Sequence, residues 1–368
     1  MKYKFHIVPA SHPDLRYQHE MVCLAEGFRE IGCEFYGTDD YWIDPTNNNY
    51  LVRRAPNSFD SDVNIFNVYY FKAFPEAIDA IDYSKINVLI DREDGLYGDY
   101  CNPRYKKFNL ILRTHYNGNI NYNHYHSNIQ PWAFGLSNRI MEAIDRTRNC
   151  SVQDKVFVSF RLSHDLRSTA VERFSPVISK KYGLLKNITN DIATLNPDTF
   201  SEVDRLYWKQ SGHRHDPEYY KLLNSSLLTF AFGGFTYLKP FAANRVIKQL
   251  QKVNRLIAAL RRNFNMDDSK CYFIDQFDSW RLWESFYSNT CPIHMDFVDW
   301  KWILPVMPEN KIHYWGVKRF DFEKSAVELL DMNINDIQQM GYNGIQWSMK
   351  NYSSVAVAER FIRIVESL

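Results

Sequence analysis

The apolar positions of this chain fall into short runs, and their order predicts the architecture. Phe5 to Val8 is a brief apolar run, Arg16 to Ile31 carries helical periodicity, Gly32 closes it, and Cys33 to Tyr36 is apolar again. A strand, a helix and a second strand in that order make a βαβ unit. Further runs at Val63 to Tyr70, Asn87 to Ile90 and Asn109 to Leu112 are separated by polar or turn-rich sequence. Runs this short, without period-two alternation, suit strands buried on both faces, as in a parallel sheet covered by helices.

A second series starts after Cys150. Lys155 to Phe160 reads as a strand feeding a helix from about Arg167 to Lys180, and Leu227 to Phe232 as a strand ending in Gly233 and Gly234. Cys271 to Ile274 reads as a third strand, Ser279 to Ser288 as a helix and Cys291 to Met295 as a fourth strand. The pattern predicts an α/β fold of two Rossmann-like domains facing a cleft, joined near Pro131 to Cys150. The expected division is residues 1–150, residues 151–352 with a basic helical insertion at about 239–268, and a terminal segment 353–368. The helix from Ser354 to Leu368, with Phe361, Ile364, Val365 and Leu368 on one stripe, is expected to pack back across the junction.

The insertion has two faces. Val246, Leu250, Val253, Ile257, Leu260 and Phe264 line one, Lys248, Lys252, Arg255 and Arg262 lie opposite, and no acid occurs between Lys239 and Phe264. Such a helix is either an ordinary solvated face or a contact for anionic lipid headgroups or an acidic acceptor.

Composition narrows the function. A chain of 368 residues suits two cores, and 45% hydrophobic with 24% charged residues is the balance of a folded protein. A formal net charge of +1 argues against a nucleic-acid binder, which needs a clustered cationic excess. No run approaches the roughly 18–20 apolar residues of a membrane span, and Met1 leads into the first strand without a signal-peptide core. The six cysteines show no CxxC spacing and read as reduced thiols, so the expected location is cytoplasmic, with membrane association if the basic helix meets lipid.

The most informative stretch is Phe277 to Asp296, FDSWRLWESFYSNTCPIHMD. Asp278 or Ser279 can cap a helix whose free N–H groups and positive dipole end attract a diphosphate, and Arg281 adds a guanidinium in the first turn. Glu284, one turn deeper, can accept both hydroxyls of a ribose. The alternative is an ordinary surface pair of Arg281 and Glu284.

The order of features from Tyr219 to Pro305 resembles the nucleotide-sugar domain of exostosin-like glycosyltransferases, which have the GT-B fold. The matching pieces are YYKLLNSSLLTFAFGG, DSWRLWES, NTCPIHMD and ILP. The basic helix interrupts that order, and Asn289-Thr290 replaces the small residue usual before the Cys-Pro-Ile strand. The likeness covers roughly a third of the chain. It implies a nucleotide-diphosphate sugar as co-substrate and transfer with inversion; no further cofactor is expected. Lys155 to Arg167 is similar to the opening strand and loop of the donor domain, which makes Arg161 and Arg167 the matching cations. Gly233 and Gly234 would let the backbone approach the donor closely.

In the first half, VLIDRED from Val88 to Asp94 resembles the acidic strand end of bacterial members of such families. An inverting transfer needs a base for the acceptor hydroxyl. Asp91 and Asp94 are the candidates, with Glu93 behind them, and His12 in PASHPD is a further one. The pairs His124/His126 and His213/His215 fall short of a metal site. No DxD motif stands among apolar strand residues, so the expectation is no metal, with charge met by arginine and the helix dipole. The expected partners are a nucleotide-sugar donor and a glycan or glycolipid acceptor. A retaining GT-B enzyme, a catalytically silent glycan- or nucleotide-binding module, and a nucleotide-sugar epimerase remain open.

Overall fold

The computed structural model describes residues 3–9, 17–95, 99–160, 162, 164–186, 195–238, 253, 256–257, 260, 272–319 and 321–368. His12, Arg161, Cys271 and most of the basic segment lie outside the described residues.

In the first half, β1 (Lys4–Val8), α1 (His19–Glu30) and β2 (Glu34–Gly37) form the expected βαβ unit. Gly32, at φ +73°, turns the chain out of α1, a left-handed position that glycine occupies without strain. A hairpin follows, of β3 (Tyr41–Asp44) and β4 (Asn49–Val52), then β5 (Val63–Asn67) and α2 (Val68–Ala73). The sheet is completed by β6 (Ile86–Asp91), β7 (Leu110–Arg113) and β8 (Ile129–Pro131). Its six strands run β2-β1-β5-β6-β7-β8, every neighbour parallel. The run Val63 to Tyr70 is therefore only half strand. Asn67 ends it because its side-chain oxygen accepts the Tyr69 amide at 2.9 Å, capping α2.

The second half begins with α3 (Asn138–Asp145) and β9 (Gln153–Val158), followed by α4 (Asp165–Arg173), α5 (Ser175–Ile178) and β10 (Gly183–Lys186). The helix expected over Arg167 to Lys180 is thus two, because Pro176 in the first turn of α5 starts a new helix. Then come α6 (Glu202–Gln210), α7 (Pro217–Asn224), β11 (Ser226–Phe230), β12 (Thr236–Leu238) and β13 (Tyr272–Ile274). The remaining elements are α8 (Trp280–Tyr287), β14 (Cys291–Met295), α9 (Phe297–Trp300), β15 (Trp315–Val317), α10 (Phe322–Leu330), α11 (Ile334–Tyr352) and α12 (Ser354–Glu366). The five-stranded parallel sheet runs β10-β9-β11-β14-β15. β13, expected in this sheet, instead pairs antiparallel with β12 in a separate ribbon.

The chain end returns to the first half. Phe361 on α12 packs edge-on against Phe28 at 5.7 Å and Phe5 at 6.0 Å, inside the core beneath β1. Gly27 permits this approach, since a Cβ there would lie 2.0 Å from the Ser354 carbonyl oxygen. Main-chain bonds also join the halves: Gly118 N–H donates to the Lys301 carbonyl at 2.7 Å, Ile303 to Tyr116 at 3.0 Å, and Leu136 to Tyr352 at 2.8 Å. No helix among the described residues is long and apolar enough to cross a membrane.

Candidate active site

A cleft of about 480 Å³ lies where the carboxyl ends of both sheets meet. In parallel α/β sheets ligands bind at these ends, because the loops there are free to diverge from the packed strands. Tyr69, Arg92 and Asp94, beyond β5 and β6, line one wall; Phe160 after β9, Arg167 on α4, and Gln276, Ser279, Arg281 and Glu284 around the start of α8 line the other.

The start of α8 is a half-buried part of this lining. Ser279 holds the extended conformation of a capping residue, φ −152° and ψ 158°, yet its side chain accepts no amide of the helix. Its carbonyl accepts the first helical bond, from the Leu282 amide at 3.0 Å. Ser279 Oγ, Arg281 Nε and Gln276 Oε1 are buried polar atoms with no hydrogen-bond partner among the described residues. Buried polar groups are usually paired, and these three orphans belong to residues that lie together on the cleft lining. Arg281 and Arg167 approach the Phe160 ring, with guanidinium carbons 5.8 and 5.5 Å from its centroid. Arg167 Nε also donates to the Phe232 carbonyl at 3.0 Å.

Glu284 faces the cleft one turn deeper. The Tyr219 and Tyr220 hydroxyls each donate to it at 3.0 Å, and buried Arg139 stands 3.7 Å away. A carboxylate offers about four lone-pair directions, so accepting two hydroxyls leaves capacity toward the cleft. Asp278, expected as a possible cap, does something else. Its carboxylate accepts the Phe134 amide at 2.9 Å and Trp283 Nε1 at 2.5 Å, tying the segment between the sheets to α8. Burial pushes its pKa up to about 8 against these two donors.

Gly233 and Gly234 are packed closely on protein. A Cβ on Gly234, which sits at φ +96°, would lie 1.9 Å from the Asp275 carbonyl oxygen, and one on Gly233 would lie 2.6 Å from that of Gln276. Their close approach is to the protein's own backbone leading into α8, and neither lines the cleft.

On the opposite wall the acidic strand end divides. Asp91 is fully buried at the end of β6 and pairs with buried Arg113 at 2.8 Å, so it is a structural ion pair beneath the cleft lining rather than a base within it. Asp94, three residues on, faces the cleft with its side chain 65% exposed and 3.5 Å from His115 Nε2. Its partial burial raises the pKa, but His115, Arg92 and Arg113 outweigh this and hold the carboxyl below its ordinary value. Glu93 contacts Lys72.

Sequence reasoning passed over His115, Arg139 and Gln276. The only signal for His115 is its place two residues beyond the end of β7. The paired histidines are held by protein: His215 Nε2 meets Asp204 at 2.9 Å, His213 stacks on Trp208 at 3.9 Å, His126 Nε2 reaches the Phe108 carbonyl at 3.1 Å, and His124 packs on Tyr125.

No family model matches the chain, and no curated protein matches it in sequence. Solved structures match it in fold. Anabaena Alr3699/HepE in complex with UDP-glucose superposes with a TM-score of 0.52 at 10% identity, covering 100% of both chains. The OtsA apo structure gives 0.51 at 9% identity, covering 99% of each. At such identity the likeness concerns fold alone, and that fold is GT-B: two Rossmann-like domains facing a cleft.

Proposed function

We propose that this chain is a glycosyltransferase that moves a sugar from a nucleotide-diphosphate donor to a hydroxyl of a glycan or glycolipid, with inversion and without a metal. The observation that carries the reading is the trio of unpartnered atoms, Gln276 Oε1, Ser279 Oγ and Arg281 Nε, at the start of α8. A helix start with free amides and a guanidinium suits a diphosphate. Glu284 then stands where the ribose hydroxyls would lie. Arg281, Arg167 and, adjoining Phe160 in sequence, Arg161 would stabilise charge on the leaving diphosphate, which is where preorganised electrostatics contributes most. A UDP-sugar is the first donor to try, because the HepE structure of the same fold holds UDP-glucose.

Asp94 is the proposed base. It takes the proton of the acceptor hydroxyl as that oxygen attacks the anomeric carbon from the face opposite the diphosphate. An aspartate is ionised at neutral pH, and this one faces the cleft with its side chain exposed, where it can accept that proton. A retaining transfer needs no such base, so full turnover in Asp94→Asn would favour that alternative.

A lipid-linked acceptor fits one surface feature. Among the described residues of the basic segment, Val253, Leu256, Ile257 and Leu260 are helical and exposed by 54%, 62%, 41% and 47%. An exposed apolar row on a segment without acids suits an anionic bilayer surface. Flotation with phosphatidylglycerol vesicles, lost in Leu256→Glu, tests it.

The donor reading is tested by a thermal-shift screen with UDP, GDP and their sugar conjugates. A ligand at a hundred times its Kd stabilises by about 2.7 kcal/mol. Arg281→Ala is expected to lose that shift; an unchanged shift in this variant would remove the donor site. Product anomer by NMR and turnover in excess EDTA test inversion and metal independence.

A further inference from the structure

β7 ends at Arg113, and the chain continues through Thr114 to His115, whose ring is buried edge-on to Phe277 at 5.7 Å and Phe134 at 6.1 Å. His115 Nδ1 accepts the Asp278 backbone N–H at 3.3 Å. A backbone amide can only donate, so Nδ1 is the bare nitrogen and Nε2 carries the hydrogen. That Nε2–H is a buried group with no hydrogen-bond partner among the described residues, and Asp94 Oδ1 stands 3.5 Å from it, close enough for a hydrogen bond to form when the site tightens on substrate. One imidazole thus touches the residue preceding Ser279 with one nitrogen and the exposed carboxylate of the opposite wall with the other.

We propose that His115 is a positioning residue: it fixes the Asp94 carboxylate relative to the start of α8, and so holds the acceptor side and donor side of the cleft in register. The proposal rests on the reading of Asp94 as base and of α8 as donor site. The charged groups facing Asp94 are His115, Arg92 and Arg113, with Asp275 opposing them from the other half; those facing His115 are Asp94, Arg113 and Asp91. His115 does not itself take the proton, because Nε2 already holds one and Nδ1 is occupied. During transfer the acceptor O–H bond breaks and its hydrogen goes to Asp94. The oxygen pair forms the bond to the anomeric carbon, and the pair of the broken carbon–diphosphate bond leaves with the nucleoside diphosphate. The proton then passes from the exposed Asp94 to water. Burial lowers the His115 pKa below its ordinary value, which favours the neutral ring.

The two ring contacts can be cut separately. His115→Asn keeps an acceptor near the Nδ1 position and withdraws the donor from Asp94, whereas His115→Gln keeps an N–H directed at Asp94. Carboxyl 13C titration of the full chain, with the Asp94 signal identified by its loss in Asp94→Asn, reads the contact without any substrate. The expected result is a midpoint below the ordinary carboxylate value in the wild type, raised by about one pH unit in His115→Asn and restored toward wild type in His115→Gln. Equal midpoints in wild type and His115→Asn would overturn the proposal. Imidazole 15N spectra of the wild-type chain at neutral pH are expected to show the Nε2–H tautomer, and the Nδ1–H form would overturn it even if a variant fails to fold. Turnover of Asp94→Asn is independent of these readouts: if it stays at wild-type level, the base reading falls while the titration still decides whether His115 sets the Asp94 carboxyl.

Discussion

The two walls of the cleft are finished differently. On the first-half wall, charged groups at and beneath the lining find their opposites within the protein: Arg92 with Glu20 at 3.2 Å, Asp91 with Arg113 at 2.8 Å, Glu93 with Lys72. On the second-half wall, Arg281 makes no ion pair among the described residues, and Ser279 Oγ and Gln276 Oε1 accept nothing there. A wall that neutralises itself keeps its shape without a ligand, whereas a wall left with positive charge and unused polar atoms has its counterpart outside the chain. Asp91 Oδ2, Arg113 Nε, Thr114 Oγ1 and His115 Nε2 also lack hydrogen-bond partners among the described residues, but all four residues are at most 5% exposed and off the lining. Asp94 is the exception on the first wall, exposed and, among the described residues, 3.5 Å from His115.

Cutting at Asp94 should have the largest effect on rate. Asp94→Asn is expected to lower kcat by about 10²–10⁴-fold, the usual contribution of a positioned base, with an unchanged melting temperature. Asp91→Asn, three residues away, is expected to do the reverse. It strands a buried guanidinium and should cost about 3–5 kcal/mol of stability in denaturant titration, with no specific loss of kcat in the folded fraction. Arg281→Ala should lower kcat by about 10²–10³-fold and weaken nucleoside diphosphate binding in calorimetry, leaving the fold intact.

Gly234→Ala should act through the backbone. Its φ of +96° and the Asp275 carbonyl beside it predict a loss of more than about 1 kcal/mol, together with weaker nucleotide binding as Gln276 shifts.

The smallest effect, taken per pH unit, is in the slope of stability. Burial raises Asp278 and Glu26 to about 8, so each is protonated in the folded chain at neutral pH and ionised in the unfolded one. The folded state then binds more protons, and stability falls as pH rises from the ordinary carboxylate range to about 8. Each group contributes at most about 1.4 kcal/mol per pH unit. Melting temperatures recorded from pH 5 to 9 should decline, and Asp278→Asn should flatten part of that decline.

Much of the frame was legible in the sequence because a buried parallel strand announces itself as an apolar run. β1, β6, β9, β11 and β14 were found that way, and α8 through its Arg-x-x-Glu turn. The hairpin of β3 and β4 escaped because each strand is only four residues long and β4 carries Asn49 and Tyr50 at the surface. β13 was assigned to the wrong sheet because an apolar run does not say which strand it will pair with. Asn67 shows how a single cap divides a run that looks uniform.

The candidate site was legible where its residues are contiguous, as in Ser279, Arg281 and Glu284. It was not where distant elements converge. Arg139 on α3 reaches Tyr220 on α7 at 2.6 Å and stands beside Glu284 on α8, which no local spacing announces. Asp91 and Asp94 show the limit of a motif. Both are acids of one stretch, but the last residue of a strand is held in the sheet by its neighbours, while a residue three positions on is free to face the cleft.

The most direct test is a crystal soaked with whichever nucleoside diphosphate raises the melting temperature most. The account predicts its diphosphate on Ser279 Oγ, Arg281 and the first amides of α8, with the ribose toward Glu284. A diphosphate bound elsewhere in the cleft, with Gln276, Ser279 and Arg281 still unpartnered, would contradict it.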